Sequence, residues 1–348
     1  MTRRERVLKT LRFEQTDRVP CDMMEGIIWG ELMEYFAREH NLETDHQVLD
    51  FLDTDLRWAW ILYNSPEPQS APADPPEVKH ETYSWAIARG PLADARTVEE
   101  VEPHAELDQS CWQPPDFAEF RRRWPDHALV FMPGWMPLFW GACHAFGMEV
   151  AMINMYDRPQ LVEAFVRRRH ESYMELMGRG LESGRGICDI CWLGDDLAGQ
   201  KNMLINPDLW RKFIKPCLAE QVRLAREHDM YVLFHSCGAV RSILPDLIDI
   251  GVNALLVFQT TAAGMDAESI AREFGGRLGF YGGIDVQQLL SFGTPEEVAE
   301  QVRANMRAFA DCGGYIVANS HHCVKTIKGE NIVAMCRAAR SGTQAKGK

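Results

Sequence analysis

The hydrophobic run Tyr231-Val232-Leu233-Phe234 opens into His235-Ser236-Cys237-Gly238, and a later run closes in Asn319-Ser320-His321-His322-Cys323. Side chains alternate along an extended chain, so His235 and Cys237 place an imidazole and a thiol on one side of it. Cys323, from a second strand end, would make three soft ligands and leave a fourth position open. Three protein ligands and an open position are the pattern of a catalytic zinc, whereas a structural zinc is closed by four. His321 or His322 is an alternative to Cys323 for closing the set. Glu25 is a candidate fourth ligand or substrate contact.

Such residues act together only if the chain carries them to one place. Short apolar runs alternate here with amphipathic segments. The strand candidates are Arg18–Asp22, Leu56–Leu62, Ala128–Pro133, Ile187–Leu193, Met230–Phe234, Ala254–Phe258, Leu278–Tyr281 and Tyr315–Ala318. Several are continuously apolar, as parallel strands buried on both faces require. Helices are expected over Glu31–Glu39, Pro137–Phe146, Pro159–Glu182, Pro207–His228, Val240–Ile250, Asp266–Phe274 and Pro295–Asp311, with Pro159, Pro207 and Pro295 at helix starts, where a missing N–H costs little. Eight strands with recurring helices point to a single-domain α/β protein, a (β/α)8 TIM barrel over residues 1–340. The proline-rich stretch and alternating segment over 64–91 read as a loop and hairpin inserted after the second strand, and 341–348 as a frayed tail.

Catalytic groups of such a barrel sit at the carboxyl ends of its strands. Those ends read Trp192-Leu193-Gly194-Asp195-Asp196, His235-Ser236-Cys237, Phe258-Gln259, Tyr281-Gly282-Gly283 and Ser320-His321-His322-Cys323, with Trp135 following the third strand. Asp195 and Asp196 are catalytic candidates: they either cap the following turn or serve as a carboxylate pair for binding, polarisation or proton transfer. Trp29, Trp135 and Trp192 offer flat apolar walls, and Gln259 and Tyr281 are further pocket candidates. Cys188 and Cys191 lie three apart on a strand and read as packed thiols.

Bulk properties narrow the classes. The chain has 348 residues, 46% of them apolar, and a formal charge of −13, which argues against nucleic acid or an anionic membrane as partner. No apolar stretch approaches a membrane span and no leader is expected. Ten cysteines without export signals suggest reduced thiols and a cytoplasmic setting.

The opening Thr2–Pro20, Gly194-Asp195-Asp196-Leu197, His235-x-Cys237-Gly238, Tyr281-Gly282-Gly283-Ile284-Asp285 and Phe292-Gly293-Thr294-Pro295-Glu296-Glu297-Val298 together resemble the uroporphyrinogen decarboxylase superfamily. The resemblance covers nearly the whole chain and implies the (β/α)8 fold. It implies one of two activities: cofactor-independent decarboxylation of a porphyrinogen, or zinc-dependent methyl transfer to or from a corrinoid protein. The decarboxylase signature carries arginines just after the first strand. Here that stretch is Cys21-Asp22-Met23-Met24-Glu25-Gly26-Ile27-Ile28-Trp29, without arginine, and a poly-acid substrate needs guanidinium forks. The methyltransferase branch fits better, its zinc set falling on His235, Cys237 and Cys323. That reading implies Zn2+ as cofactor, a cobalamin carried by a separate corrinoid-binding protein, and a small methyl donor or acceptor. A methoxylated aromatic is favoured by the tryptophans; a thiol, methanol, a methylamine and assembly as a homodimer remain open. A non-catalytic zinc or redox protein is the alternative from another class.

Overall fold

The computed structural model describes residues 1–63 and 89–341. The inserted hairpin expected over 64–91 and the tail over 341–348 fall almost wholly outside these residues. In chain order the strands are β1 (Leu56–Trp60), β2 (Leu62–Tyr63), β3 (Trp112–Gln113), β4 (Ala128–Met132), β5 (Ile190–Gly194), β6 (Tyr231–His235), β7 (Ala254–Phe258), β8 (Gly279–Ile284) and β9 (Tyr315–Asn319). Seven of them form one curled, all-parallel sheet in the order β1-β4-β5-β6-β7-β8-β9; β2 and β3 make a small antiparallel ribbon.

Residues 20–22 bridge the open edges of this TIM-barrel-like sheet. Val317 N–H donates to the Pro20 carbonyl at 2.9 Å, Asp22 N–H to the Val317 carbonyl at 2.9 Å, and Asp55 N–H to the Cys21 carbonyl at 2.8 Å. The strand expected over Arg18–Asp22 is therefore a single bridge, Cys21 to Val317. Pro20 has no N–H to extend the ladder, and the chain turns into the 3-10 turn Met24–Gly26 directly after Asp22.

Alternation along each buried strand feeds two cores. On β4, Leu129 and Phe131 face the helices, while Ala128, Val130 and Met132 face the barrel interior. Helix starts are capped by side chains: Thr2 with Glu5 and Thr294 with Glu297 form reciprocal capping boxes. Two expected helices are subdivided. Pro207–His228 is two helices, Pro207–Phe213 and Lys215–Glu227, because Pro216 cannot donate into a continuous helix. Val240–Ile250 begins as a 3-10 turn, Arg241–Ile243, before the helix Leu244–Ile250.

Asp22 points into the interior core, where Trp58 Nε1–H at 2.9 Å and the Tyr281 hydroxyl at 2.8 Å both donate to its Oδ2. Its Oδ1 is buried without a partner among the described residues. Burial pushes this carboxyl up to about 7, over the opposing effect of those two donors. A carboxyl raised in the folded state stabilises the fold in full below its ordinary range, and that contribution is lost as pH rises through 7. Asp22→Asn keeps an acceptor for Trp58 and Tyr281 and removes the ionisation. Its stability relative to the parent is expected to improve by about 2–3 kcal/mol between pH 5 and 8, two pH units of linkage. Urea unfolding at both pH values checks this; a pH-independent difference would contradict it.

Candidate active site at the barrel mouth

The carboxyl ends of the strands deliver an imidazole cluster held by two carboxylates. His235, the last residue of β6, is buried, and its Nδ1 lies 2.9 Å from Glu25 Oε1. The other oxygen of Glu25 lies 2.7 Å from His322 Nε2. Glu25 is itself buried and adopts φ 56°, the left-handed region that a residue with a side chain seldom takes. The two imidazole contacts hold it there, and they join the segment closing the barrel to β6 and to the loop after β9.

On its other side, His235 Nε2 lies 3.6 Å from Asp196 Oδ1, and the Cys237 thiol donates to the same oxygen at 3.6 Å. Imidazole and thiol thus face one carboxylate oxygen, as the His-x-Cys spacing requires. Burial opposes both charges of the Glu25–His235 pair, but each partner outweighs it. Glu25 is held down at about 2 by His235 and His322, and His235 is pushed up to about 9 by Asp196 and Glu25. Asp196 is likewise lowered, burial notwithstanding, chiefly by His235, while burial and then Asp196 raise the Cys237 thiol. His321 lies 6.2 Å from the His235 ring and 5.4 Å from that of His322. Burial, with those two neighbours, lowers it to about 4.

Indole rings line this cluster. Trp135 and Trp192 lie 5.3 and 5.6 Å from the His235 ring, and Trp29 lies 4.8 Å from that of His322. Trp192 is buried with its Nε1–H unpartnered among the described residues, while Trp29 and Trp135 are 54% and 38% exposed. Gly194 makes room for the packing: a Cβ there would lie 2.8 Å from Trp135 and 3.0 Å from both Trp192 and His235. Gly194→Ala is expected to wedge these rings apart, destabilise the protein by about 1–3 kcal/mol as overpacking does, and shift the tryptophan emission. Unchanged emission and stability would contradict the packing account.

Other expected residues serve as scaffold. Asp195 is buried, and its two oxygens accept from the backbone N–H groups of Leu138 at 3.1 Å, Phe139 at 2.7 Å and Trp140 at 3.0 Å. It fastens β5 to the start of the helix Phe139–Phe146, just beyond Trp135. Burial nonetheless raises its carboxyl to about 7, against those three donors. Gln259 Oε1 accepts from Gly238 N–H at 2.8 Å and from Gln200 Nε2 at 2.9 Å, tying together the loops after β5, β6 and β7. Gly238, at φ 85°, lets those loops close: a Cβ would lie 2.5 Å from the Gly199 carbonyl oxygen. Tyr281 is committed to Asp22 beneath the site.

The structure does not bring Cys323 to the point where His235 and Cys237 meet. Its sulfur accepts from Asn319 Nδ2 at 3.7 Å, and it packs in the outer core with Cys336, whereas Cys237 borders the interior core. Among the described residues no three His, Cys, Asp or Glu side chains are already gathered closely enough to hold an ion. The donor chemistry of His235 and Cys237 nevertheless suits zinc. Glu25 contacts Nδ1, and a carboxylate at that nitrogen leaves Nε2 free to face a cation. Cys188 and Cys191 are packed thiols in the outer core, both raised by burial. Asp22 and Gly194 escaped the sequence reading; an acid inside the otherwise apolar Val19–Met24 run was the available signal for the first.

The family model for uroporphyrinogen decarboxylase (URO-D) matches residues 139–342, more than half of the chain. No curated protein matches in sequence. Among solved structures, a methyltransferase from Methanosarcina mazei is similar, with TM-score 0.64, 16% identity and 98% of each chain covered. At that identity the likeness speaks for the fold. Xylanase 10B from Thermotoga maritima is a weaker likeness, with TM-score 0.43, 10% identity and 98% of each chain covered. No helix among the described residues is long and apolar enough to cross a membrane.

Proposed function

The chain belongs to the uroporphyrinogen decarboxylase family, and from that premise we propose that it is a methyltransferase working with a separate corrinoid-binding protein. The observation that carries this reading is the pair His235 and Cys237, facing one point at the barrel mouth with Glu25 behind the imidazole. A porphyrinogen decarboxylase needs guanidinium groups for its acidic substrate. The stretch Cys21–Trp29 supplies Asp22 and Glu25 there instead.

His235 and Cys237 would hold zinc, which when bound supplies Lewis acidity to the substrate's heteroatom. The chain's own residues do the rest. Trp29 and Trp135 present flat, partly exposed faces for a methoxylated aromatic ring, the favoured methyl donor. Glu25 fixes the tautomer and orientation of His235. His321, kept neutral by burial and its imidazole neighbours, can accept or return a substrate proton. A reduced corrinoid on the partner would accept the methyl group that leaves the substrate oxygen, and the phenolate left behind would take up a proton to become the phenol.

The test is a panel of methoxyarenes, methanol, methylamines and thiols incubated with zinc-loaded protein and cobalamin, reduced for donors and methylated for acceptors. Turnover of methoxyarenes, read from the cobalt spectrum, is the expected result. Turnover of none would overturn the proposal.

A further inference from the structure

Within that reading of the mouth as a metal centre, we infer that the third protein ligand is Asp196 and that Cys323 lies outside the set. Tetrahedral zinc with its usual bond lengths to nitrogen, sulfur and carboxylate oxygen separates nitrogen from oxygen by about 3.4 Å and sulfur from oxygen by about 3.6 Å. Both corresponding distances here are 3.6 Å: His235 Nε2 to Asp196 Oδ1, and Cys237 Sγ to the same oxygen. Two edges of a tripod are therefore in place around one carboxylate. Turning the Cys237 thiol toward Nε2 closes the third.

Asp196 is positioned for this, and among the described residues its side chain has no hydrogen-bond or ion-pair partner besides His235 and Cys237. Its neighbour Asp195 is spent on the backbone at Leu138–Trp140, which anchors the loop and frees Asp196 to face inward. Glu25 is spent on two imidazoles and acts behind His235. Cys323 instead accepts from Asn319, whose own Oδ1 accepts from Met24 N–H at 3.0 Å. Drawing Cys323 into the mouth would break its contact with the Asn319 amide, whose Nδ2 also donates to the His321 carbonyl at 2.6 Å. The centre is thus one nitrogen, one sulfur and one carboxylate oxygen, with the same formal charge as an imidazole–dicysteine site, since both carry two negative ligands. What differs is the number of sulfurs.

Cobalt(II) substitution counts them, because each thiolate ligand adds a sulfur-to-cobalt charge-transfer band in the near ultraviolet. The intact protein is titrated with cobalt(II) and zinc, alongside Asp196→Asn, Cys323→Ser, Cys237→Ser and Asp196→Cys, with thermal unfolding of each as a check on folding. The expected result is a band of one-thiolate intensity that Cys323→Ser leaves unchanged, with affinity within about threefold. Cys237→Ser abolishes the band, Asp196→Asn keeps it but weakens binding at least tenfold, and Asp196→Cys doubles it. A two-thiolate band halved by Cys323→Ser, or an Asp196→Asn protein that binds as the parent does, would overturn the assignment. Folded parent protein that binds neither metal would overturn it too. Failure of methyl transfer in a protein giving the expected spectra would overturn the function proposed above and leave this ligand set standing.

Discussion

Replacing Cys237 with alanine is expected to lower zinc affinity at least a hundredfold and to reduce methyl transfer below detection, while the fold survives. Cys237 is the one thiol that faces the His235–Asp196 point, and a zinc–thiolate bond has no substitute in a methyl group. It is partly exposed at the edge of the interior core, so its loss opens no sealed cavity. Unfolding stability should fall by no more than about 1 kcal/mol, the usual cost of a point substitution. Metal analysis after dialysis, with urea unfolding, checks both halves. An alanine variant that retains stoichiometric zinc would remove Cys237 from the centre.

The second large effect is expected from Glu25→Gln. Outer carboxylates that orient a metal-binding imidazole contribute about 10–100-fold in affinity or activity, and Glu25 orients two imidazoles at once. Glutamine can satisfy one ring nitrogen through its carbonyl but carries no charge. In the metal-free protein the His235 imidazole should fall from about 9 toward the ordinary histidine range. The stability linkage has a definite sign. Glu25, lowered to about 2, contributes fully above the ordinary carboxylate range, and its contribution is lost as pH falls through 2. His235, raised to about 9, contributes fully below the ordinary histidine range, and its contribution is lost as pH rises through 9. The pair therefore stabilises the apo mouth most between about pH 4.5 and 6.5, and Glu25→Gln should flatten that maximum. Proton resonances of His235 followed through a pH titration, with stability measured alongside, decide it. An unmoved titration would show that Glu25 does not set the state of His235.

Much of this arrangement was written locally. The runs that became β4, β6 and β7 are apolar on both faces because both faces are covered, and His235-x-Cys237 keeps its strand spacing into the loop. The Pro207–His228 break was also visible in principle, since Pro216 sits in the middle of the expected helix. Other features depend on closure of the barrel, which no local pattern records. Glu25 meets His235 and His322 only because residues 20–22 bridge β9 to β1. The different fates of Asp195 and Asp196, one facing a helix start and one the imidazole, follow from a single step along the chain where β5 ends. Cys323 matched the spacing of a ligand, but the Asn319 amide beside it and Cys336 behind it decide where its sulfur lies.

The most direct measurement follows a deuterated methyl group from a methoxyarene to reduced cobalamin in a single turnover by zinc-loaded protein. Deuteromethyl-cobalamin should form with the parent and be absent with Cys237→Ala. A label that stays on the arene with the parent, or that moves equally well in the variant, would contradict the account.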